Sequence, residues 1–173
     1  TQGNVVNQFS SKKDSTYVKY EGNPPRRATI SREEGMNRFV WNLRHDMLPG
    51  VPKVYIEGSF RGHKAIPGTY RLRLKYGDKT LETQAEIKTN PLYETTPAEY
   101  QEYHDFMSKG EKTYREMTEM TNTLYDLQGK LTQVLSQLNA PENAELKKKA
   151  GELLAEMKAF DEAMAQRLSK AYD

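Results

Sequence analysis

The stretch that decides the fold is residues 70–100, YRLRLKYGDKTLETQAEIKTNPLYETTPAEY, in which the spacing of apolar side chains changes. Up to residue 88 the apolar residues alternate with charged and polar ones, which is typical of a half-buried β-strand. After Pro97 they recur every three or four residues, which is typical of a helix that packs along one stripe. The sequence therefore predicts a β-rich part followed by a helical part.

The alternating part predicts one β-hairpin in detail. Tyr70–Tyr76 and Lys79–Lys88 are predicted to pair antiparallel, with residues 77–78 as a two-residue turn that contains a glycine. This register places leucines opposite each other on one face and Arg73 opposite Glu82 on the other. Because apolar residues match on one face and opposite charges match on the other, the register is well specified.

Three further segments are predicted to be short strands: Val5–Phe9, Arg38–Arg44 and Val54–Glu57. Several short antiparallel strands within about 90 residues are typical of a β-sandwich. Trp41 is in phase with apolar residues on both sides of it, and it is therefore predicted to lie at the centre of the sandwich core. The first predicted domain is this sandwich, at residues 1–93.

The second predicted domain, residues 94–173, is a pair of long helices. Thr96 as N-cap, with Glu99 three residues later, predicts the first helix start through a capping box. The helix is expected to run to about Leu138, and Asn139 to Glu142 is expected to cap a second helix in the same way. A tight link favours an antiparallel hairpin, although an oligomerisation seam is the alternative. The apolar residues expected to face each other are Leu124, Leu127 and Leu131 on the first helix, and Leu146, Leu153 and Met157 on the second.

Composition excludes several classes of protein. The 26 basic and 24 acidic residues are interspersed and give a net charge of +2, so no clustered basic face is available for a nucleic-acid partner. The chain has no cysteine, which excludes disulfides, thiolate catalysis and zinc–sulfur sites. No apolar run approaches the roughly 18 residues that a membrane span needs.

The candidate catalytic and metal-ligating residues are few. The three histidines, His45, His63 and His104, show none of the helical spacing of four that brings two ligands together. Surface positions are therefore expected for them. The adjacent Glu33 and Glu34 are expected to diverge in a turn, whereas a glycosidase needs two carboxyl groups across a cleft. The sequence predicts no catalytic, cofactor or metal site.

Aromatic residues offer one alternative function. Tyr17, Tyr20 and Tyr55 lie in or beside predicted loops, where exposed aromatic rings could stack on a sugar. They are the candidate glycan-binding residues of this chain. A coplanar row of exposed tyrosines beside a groove would favour carbohydrate binding, whereas their burial would favour a structural role.

Two stretches carry a family resemblance: residues 37–44, NRFVWNLR, and residues 66–74, IPGTYRLRL. They resemble the F-x-W-[ND]-L-R and P-G-T-Y-x-[VL]-R-L pattern of an Ig-like accessory domain. That domain lies at the C-terminal end of large bacterial sortilin-like or BNR-repeat proteins, which are often labelled glycosyl hydrolases and are common in Bacteroidetes. The helical region after the last strand is also similar to the tail of that family.

The resemblance implies an α+β protein, with an Ig-like antiparallel β-sandwich followed by a long antiparallel helical hairpin. It implies a non-catalytic structural or interaction module of a larger exported protein, periplasmic or extracellular, whose β-propeller region is the expected partner. A carbohydrate-binding module of a glycan-processing enzyme is the alternative. The first Ig strand is expected ahead of Thr1, which would leave Val5–Phe9 as an open edge for self-association. No catalytic residue of the family maps onto this chain.

Overall fold

The computed structural model describes residues 3–20, 23–54, 56 and 58–167. Its regular elements, in chain order, are strands β1 (Gly68–Tyr76) and β2 (Lys79–Ile87), helix α1 (Pro97–Gln137), a 3-10 turn (Pro141–Asn143) and helix α2 (Ala144–Ala165). Within the described residues, β1 and β2 form one two-stranded sheet and no second sheet lies over it. The prediction of an Ig-like β-sandwich is therefore wrong, and the chain is a small α+β protein.

The hairpin register predicted from the sequence is confirmed. β1 and β2 pair antiparallel along their whole length, with Tyr76 opposite Lys79 and Arg73 opposite Glu82. The Arg73 Nε donates to the Glu82 Oε1 over 2.6 Å. Almost every side chain of the two strands is exposed, however, and Tyr70 is one of the few that are half-buried. The hairpin is thus defined by local pairing and contributes little buried area.

The other predicted strands do not form ladders. Val5–Phe9 belongs to no strand, and its Val6 carbonyl accepts a hydrogen bond from the Asp46 N–H rather than from a neighbouring strand. Arg38–Arg44 is broken by Leu43, whose φ of 56° lies in the left-handed region. Only its last residue pairs, in an isolated bridge.

The third of these predicted strands, Val54–Glu57, is described only in part. Tyr55 and Glu57 lie outside the described residues, and Val54 and Ile56 belong to no strand. The Val54 N–H donates to the Val51 carbonyl over 3.2 Å, which is a turn rather than a ladder.

Trp41 does not lie at the centre of a sandwich core, so that prediction is wrong. It is half-buried, its indole N–H donates to the Arg44 carbonyl over 2.9 Å, and its ring meets Tyr70 edge-on at 5.9 Å. Since no second sheet covers this face, the indole links the Arg44 segment to the base of the hairpin instead. The buried apolar residues of the described chain are Phe60, Ala65 and Leu154.

The chain divides into two compact units whose segments alternate along the sequence. The first, here called the hairpin unit, contains Thr1–Lys13, Arg27–Met47 and Arg61–Lys112. The second, here called the helical unit, contains Asp14–Arg26, Leu48–Phe60 and Thr113–Asp173. Helix α1 begins in the hairpin unit and ends in the helical unit. Each unit is therefore assembled from three separate stretches of chain.

The predicted capping box at the start of α1 is confirmed. The Glu99 Oε2 accepts a hydrogen bond from the Thr96 N–H over 2.7 Å, and the Thr96 Oγ1 accepts one from the Glu99 N–H over 3.3 Å. These two bonds satisfy amide groups that the first helical turn leaves unpaired. The Thr96 backbone and hydroxyl donors also hold the pKa of Glu99 below its ordinary value of 4.5.

The predicted capping box at the start of α2 is wrong. The 3-10 turn precedes the helix, and neither Ala140 nor Asn143 makes a side-chain capping bond. The Asn139 side chain is used elsewhere, because its Oδ1 accepts from the Lys147 Nζ over 3.2 Å and its Nδ2 donates to the Ser136 carbonyl over 3.0 Å. It therefore satisfies a carbonyl at the end of α1 rather than an amide at the start of α2.

The helical unit contains α1 from Thr113 onward and all of α2, but the buried stripe differs from the predicted one. The Gln128 Nε2 on α1 donates to the Met157 carbonyl on α2 over 3.2 Å. Leu154 is buried on α2, whereas the predicted Leu153 is half exposed. The reason is that the buried side of α2 also includes Asp161, a charged residue that a hydrophobic pattern does not place inside.

Asp161 is buried because Arg167 neutralises it. The Arg167 Nε and Nη2 donate to the two carboxylate oxygens over 2.5 and 2.9 Å. The guanidinium also lies 4.2 Å from the centre of the Tyr125 ring and donates to the Pro52 carbonyl. This ion pair therefore ties the end of α2 to α1 and to the Leu48–Phe60 segment.

Candidate functional site

The three histidines of the chain converge in the hairpin unit. Ligand atoms of His45, His63 and His104 all lie within 4.8 Å of one another. His63 is only 3% exposed, and the other two are half-buried. We call these three residues the histidine cluster. The expectation that the histidines occupy separate surface positions is therefore wrong.

Backbone pairing between two separate segments fixes two of the histidines. The His45 N–H donates to the His63 carbonyl over 2.9 Å, beside the isolated antiparallel bridge of Arg44 and Lys64. The Asn7 Nδ2 donates to the carbonyls of Arg44 and His45 over 3.0 and 3.2 Å. The side chains of His45 and His63 therefore start from backbone positions that are held by several hydrogen bonds.

Gly62 permits this close approach. A Cβ at this position would lie 2.6 Å from the carbonyl oxygens of both His45 and Asp46. Contacts of this length between carbon and backbone oxygen do not occur without a shift of the chain. The glycine is therefore required by space rather than by its φ angle, and the Arg44 Nη1 holds its carbonyl over 3.0 Å.

The three imidazole rings touch one another directly. The His63 Nε2 lies 2.9 Å from the Nδ1 of His104, which helix α1 supplies. The rings of His45 and His63 are stacked, with centroids 3.8 Å apart and planes inclined by 14°. One hydrogen bond and one stacking contact thus join three rings that are each capable of accepting a proton or a metal ion.

Glu111 supplies the carboxylate of the cluster. Its Oε1 accepts the His63 backbone N–H over 2.6 Å and lies 3.0 Å from the His63 Nδ1. The Nδ1 itself is buried and, although it lies close to this oxygen, it makes no hydrogen bond within the described residues. Tyr103 closes a further side, because its ring meets His63 edge-on at 6.0 Å and its hydroxyl accepts the Lys64 N–H.

The environment keeps the His45 ring neutral. Burial first, and then the neighbouring rings of His63 and His104, lower the pKa of His45 from 6.5 to about 4, while Glu111 opposes the shift. Protonating the ring would place a cation in a partly desolvated site beside two other basic rings. At neutral pH the ring is therefore an uncharged base with an available lone pair.

No pattern in the sequence indicated this convergence. His63 and His104 are 41 positions apart, and His45 and His63 lie beside an isolated bridge rather than in a recognisable strand pair. Metal-site motifs depend on short spacing within one helix or loop. The fold does not test the prediction that the chain has no metal site. The three histidines nevertheless lie close enough together to be considered as ligands of one metal ion.

A second feature lies in the helical unit, where two rows of large apolar side chains are uncovered. They share a spacing of seven residues along each helix and are between 46% and 73% exposed. The rows consist of Met120, Leu127 and Val134 on α1, and of Leu146, Leu153 and Phe160 on α2. We call them the seven-residue rows. Side chains seven apart lie on one face of a helix, about 10.5 Å apart along its axis, so each row marks one exposed apolar face.

The candidate glycan-binding tyrosines do not form an exposed platform among the described residues. Tyr17 is half-buried, donates its hydroxyl proton to the Pro24 carbonyl over 3.1 Å, and lies under the Arg26 guanidinium at 4.9 Å. Tyr20 is half-buried as well, and burial raises its pKa. Tyr55 lies outside the described residues. Glycan binding therefore stays a prediction.

The adjacent acidic residues Glu33 and Glu34 are both exposed. Asn37 closes the turn that carries them, because its Oδ1 accepts the Glu33 N–H over 3.0 Å and its Nδ2 donates to the Glu33 carbonyl. A pair in one exposed turn has no opposing carboxyl group and no cleft of the kind that glycoside hydrolysis requires.

Comparison with known proteins adds no relative. Among the described helices, none is both long and apolar enough to span a lipid bilayer. No family model matches the chain, and neither the curated proteins nor the solved structures contain a detectable match.

Proposed function

We propose that this chain is a non-catalytic structural and interaction module of a larger exported bacterial protein, and that two copies assemble through the seven-residue rows. The observation that supports the proposal is the exposure of six large apolar side chains on the two helices, at the spacing that helices use to pack together. The parent protein and its export are expectations from the sequence resemblance.

We expect the partner to be a second copy of this chain, because the rows on α1 and α2 are both apolar and have the same spacing. Both helices repeat apolar residues every seven positions, and a two-helix hairpin with one open apolar face completes a four-helix bundle when it pairs with another hairpin. Each half-exposed side chain contributes about 1 kcal/mol on full burial. After the cost of association, we expect a dissociation constant of about micromolar.

The oligomeric state tests the proposal. Sedimentation equilibrium of the isolated chain over about 1–100 μM should show a reversible dimer. A Leu127→Lys, Leu153→Lys double variant should be monomeric with unchanged helix content, since both positions are half exposed. The matched control is Leu81→Lys, which places the same charge on the exposed apolar face of the hairpin and should leave the dimer intact.

Two results would overturn the proposed assembly. A monomer at all concentrations would show that the rows do not bind a second copy. A dimer that survives the double variant but is lost in Leu81→Lys would place the contact on the hairpin. The proposed parent protein is tested separately. The coding sequence upstream of Thr1 should encode β-propeller repeats, and a sequence without such repeats would refute the proposed parent.

A further inference from the structure

We propose that His45, His63 and His104 bind one divalent transition-metal ion of the zinc type. The proposal is independent of the helical rows, because the histidine cluster lies entirely in the hairpin unit. Imidazole nitrogen suits zinc, copper and nickel, whereas calcium and magnesium prefer oxygen. Three imidazoles and no thiolate leave a fourth position of a tetrahedral ion open to water or another small ligand.

The distances between ligand atoms fit one ion after a small adjustment. Zinc–nitrogen bonds of 2.0–2.1 Å at tetrahedral angles separate two nitrogens by about 3.3 Å. The His63 Nε2 and His104 Nδ1 are 2.9 Å apart, so their separation must grow by a few tenths of an ångström and both rings must tilt until their lone pairs point at the ion rather than at each other. The metal would replace the proton that these two nitrogens now share.

His45 requires a larger change. Its ring is stacked on His63, and two parallel rings do not direct their in-plane lone pairs at one point. A rotation of the half-buried His45 side chain brings its nitrogen toward the other two, which are already within 4.8 Å. Its backbone stays fixed by the bond to the His63 carbonyl, so the change is confined to side-chain torsions.

Burial shields the proposed site on one side. His63 is only 3% exposed, so bulk water is excluded from its ring.

Glu111 is the positioning residue of the proposed site. Its carboxylate lies beside the His63 Nδ1, on the opposite side of the ring from the Nε2 that faces His104. A carboxylate at that place favours the tautomer with the proton on Nδ1 and leaves the Nε2 lone pair for the metal. A rotation of the ring upon binding would let the Nδ1 form the hydrogen bond to Glu111 that it now lacks.

Zinc binding to the full chain tests the proposal directly. After removal of metal with a chelator, calorimetric titration with Zn²⁺ should give one site per chain with a dissociation constant of micromolar or tighter. Cobalt(II) should bind in the same place and give the visible absorption of a tetrahedral nitrogen site. The matched control is the Glu33→Gln, Glu34→Gln double variant, which removes exposed carboxylates and should bind zinc as the parent chain does.

Single substitutions then assign the ligands. His104→Gln should weaken zinc binding at least a hundredfold, and because His104 is half-buried on a helix, far-UV circular dichroism should show that the variant stays folded. Glu111→Gln should keep one site per chain and weaken it 10- to 100-fold, with a changed ¹⁵N tautomer signature of His63. No saturable site, or equal zinc affinity in His104→Gln, would overturn the proposal. Loss of affinity in the Glu33, Glu34 control alone would reassign binding to surface carboxylates and overturn it as well.

Discussion

The β-hairpin and the histidine cluster lie in the same unit but are held together by different kinds of contact. β1 and β2 are adjacent in sequence, pair along their whole length and remain almost fully exposed. The histidine cluster joins His45 to His104, which are 59 positions apart, with only an isolated bridge beside His45 and His63, and yet it contains the buried His63.

This comparison shows that regular strand pairing and burial of side chains occur in different parts of the unit. A two-stranded hairpin is marginally stable by itself in water, because neither face is covered. The hairpin therefore depends on what packs against its base, where Tyr70 meets Trp41. The histidine cluster has little regular structure, but its close packing makes it sensitive to small changes in volume. The following predictions test this contrast, beginning with the largest expected effect.

Gly62→Ala should lower the free energy of unfolding by about 3 kcal/mol, because the added Cβ overlaps two backbone carbonyl oxygens. Urea unfolding followed by circular dichroism measures the change. The control is Gly110→Ala in α1, where nothing lies near the added carbon and stability should rise by up to about 1 kcal/mol. Equal effects at the two glycines would show that the histidine cluster is not closely packed.

Trp41→Ala should lower the free energy of unfolding by about 2 kcal/mol, which is less than for a fully buried tryptophan because Trp41 is half-buried. Trp41→Phe keeps the ring contact with Tyr70 and loses only the bond to the Arg44 carbonyl, so it should cost about 1 kcal/mol. A loss above about 4 kcal/mol for the alanine variant would contradict the half-buried position.

Thr96→Ala should lower the free energy of unfolding by about 1 kcal/mol, because the first turn of α1 loses its N-cap. The start of α1 is a local feature like the hairpin, since its two partners are three residues apart. Thr95→Ala is the matched control and should change stability much less. Equivalent losses from both threonines, measured by thermal unfolding, would mean that the capping bond contributes nothing specific.

Arg73 and Glu82 should be coupled by less than about 0.5 kcal/mol in a double-mutant cycle with alanine, because both side chains are around half exposed. The small value follows from screening by water despite the 2.6 Å contact. The cycle requires four chemical denaturation curves. A coupling above about 1.5 kcal/mol would show that the hairpin face is covered in solution.

Glu99→Gln should have the smallest effect, and this effect on the free energy of unfolding should depend on pH. Because the Thr96 donors lower its pKa, the stability that Glu99 contributes is present above its ordinary value of 4.5 and is lost as the pH falls through its lower value in the folded chain. The difference between parent and Glu99→Gln should therefore be seen at pH 7 and vanish in acid. In a Thr96→Ala background this pH dependence should be weaker, and an unchanged profile would contradict the capping assignment.

The features that the sequence predicted correctly are those whose partners are close along the chain. The hairpin register followed from alternating side chains around a glycine turn, and the α1 start followed from Thr96 and Glu99. The prediction of a second capping box was wrong although the residue types were similar, because the Asn139 Oδ1 accepts from Lys147 and its Nδ2 donates to the Ser136 carbonyl. The predicted buried stripe of α2 was wrong because Asp161 is buried through its ion pair with Arg167. A pattern of apolar residues does not reveal such a pair.

What the sequence by itself determined is the change from strand to helix, the hairpin register and the first helix start, since each depends on side chains a few residues apart. Only the tertiary structure decided that the remaining segments form no sandwich, that Trp41 is half-buried, and that three distant histidines converge. The physical reason is that long-range contacts depend on which backbone segments approach each other. In this chain a single glycine, Gly62, allows that approach.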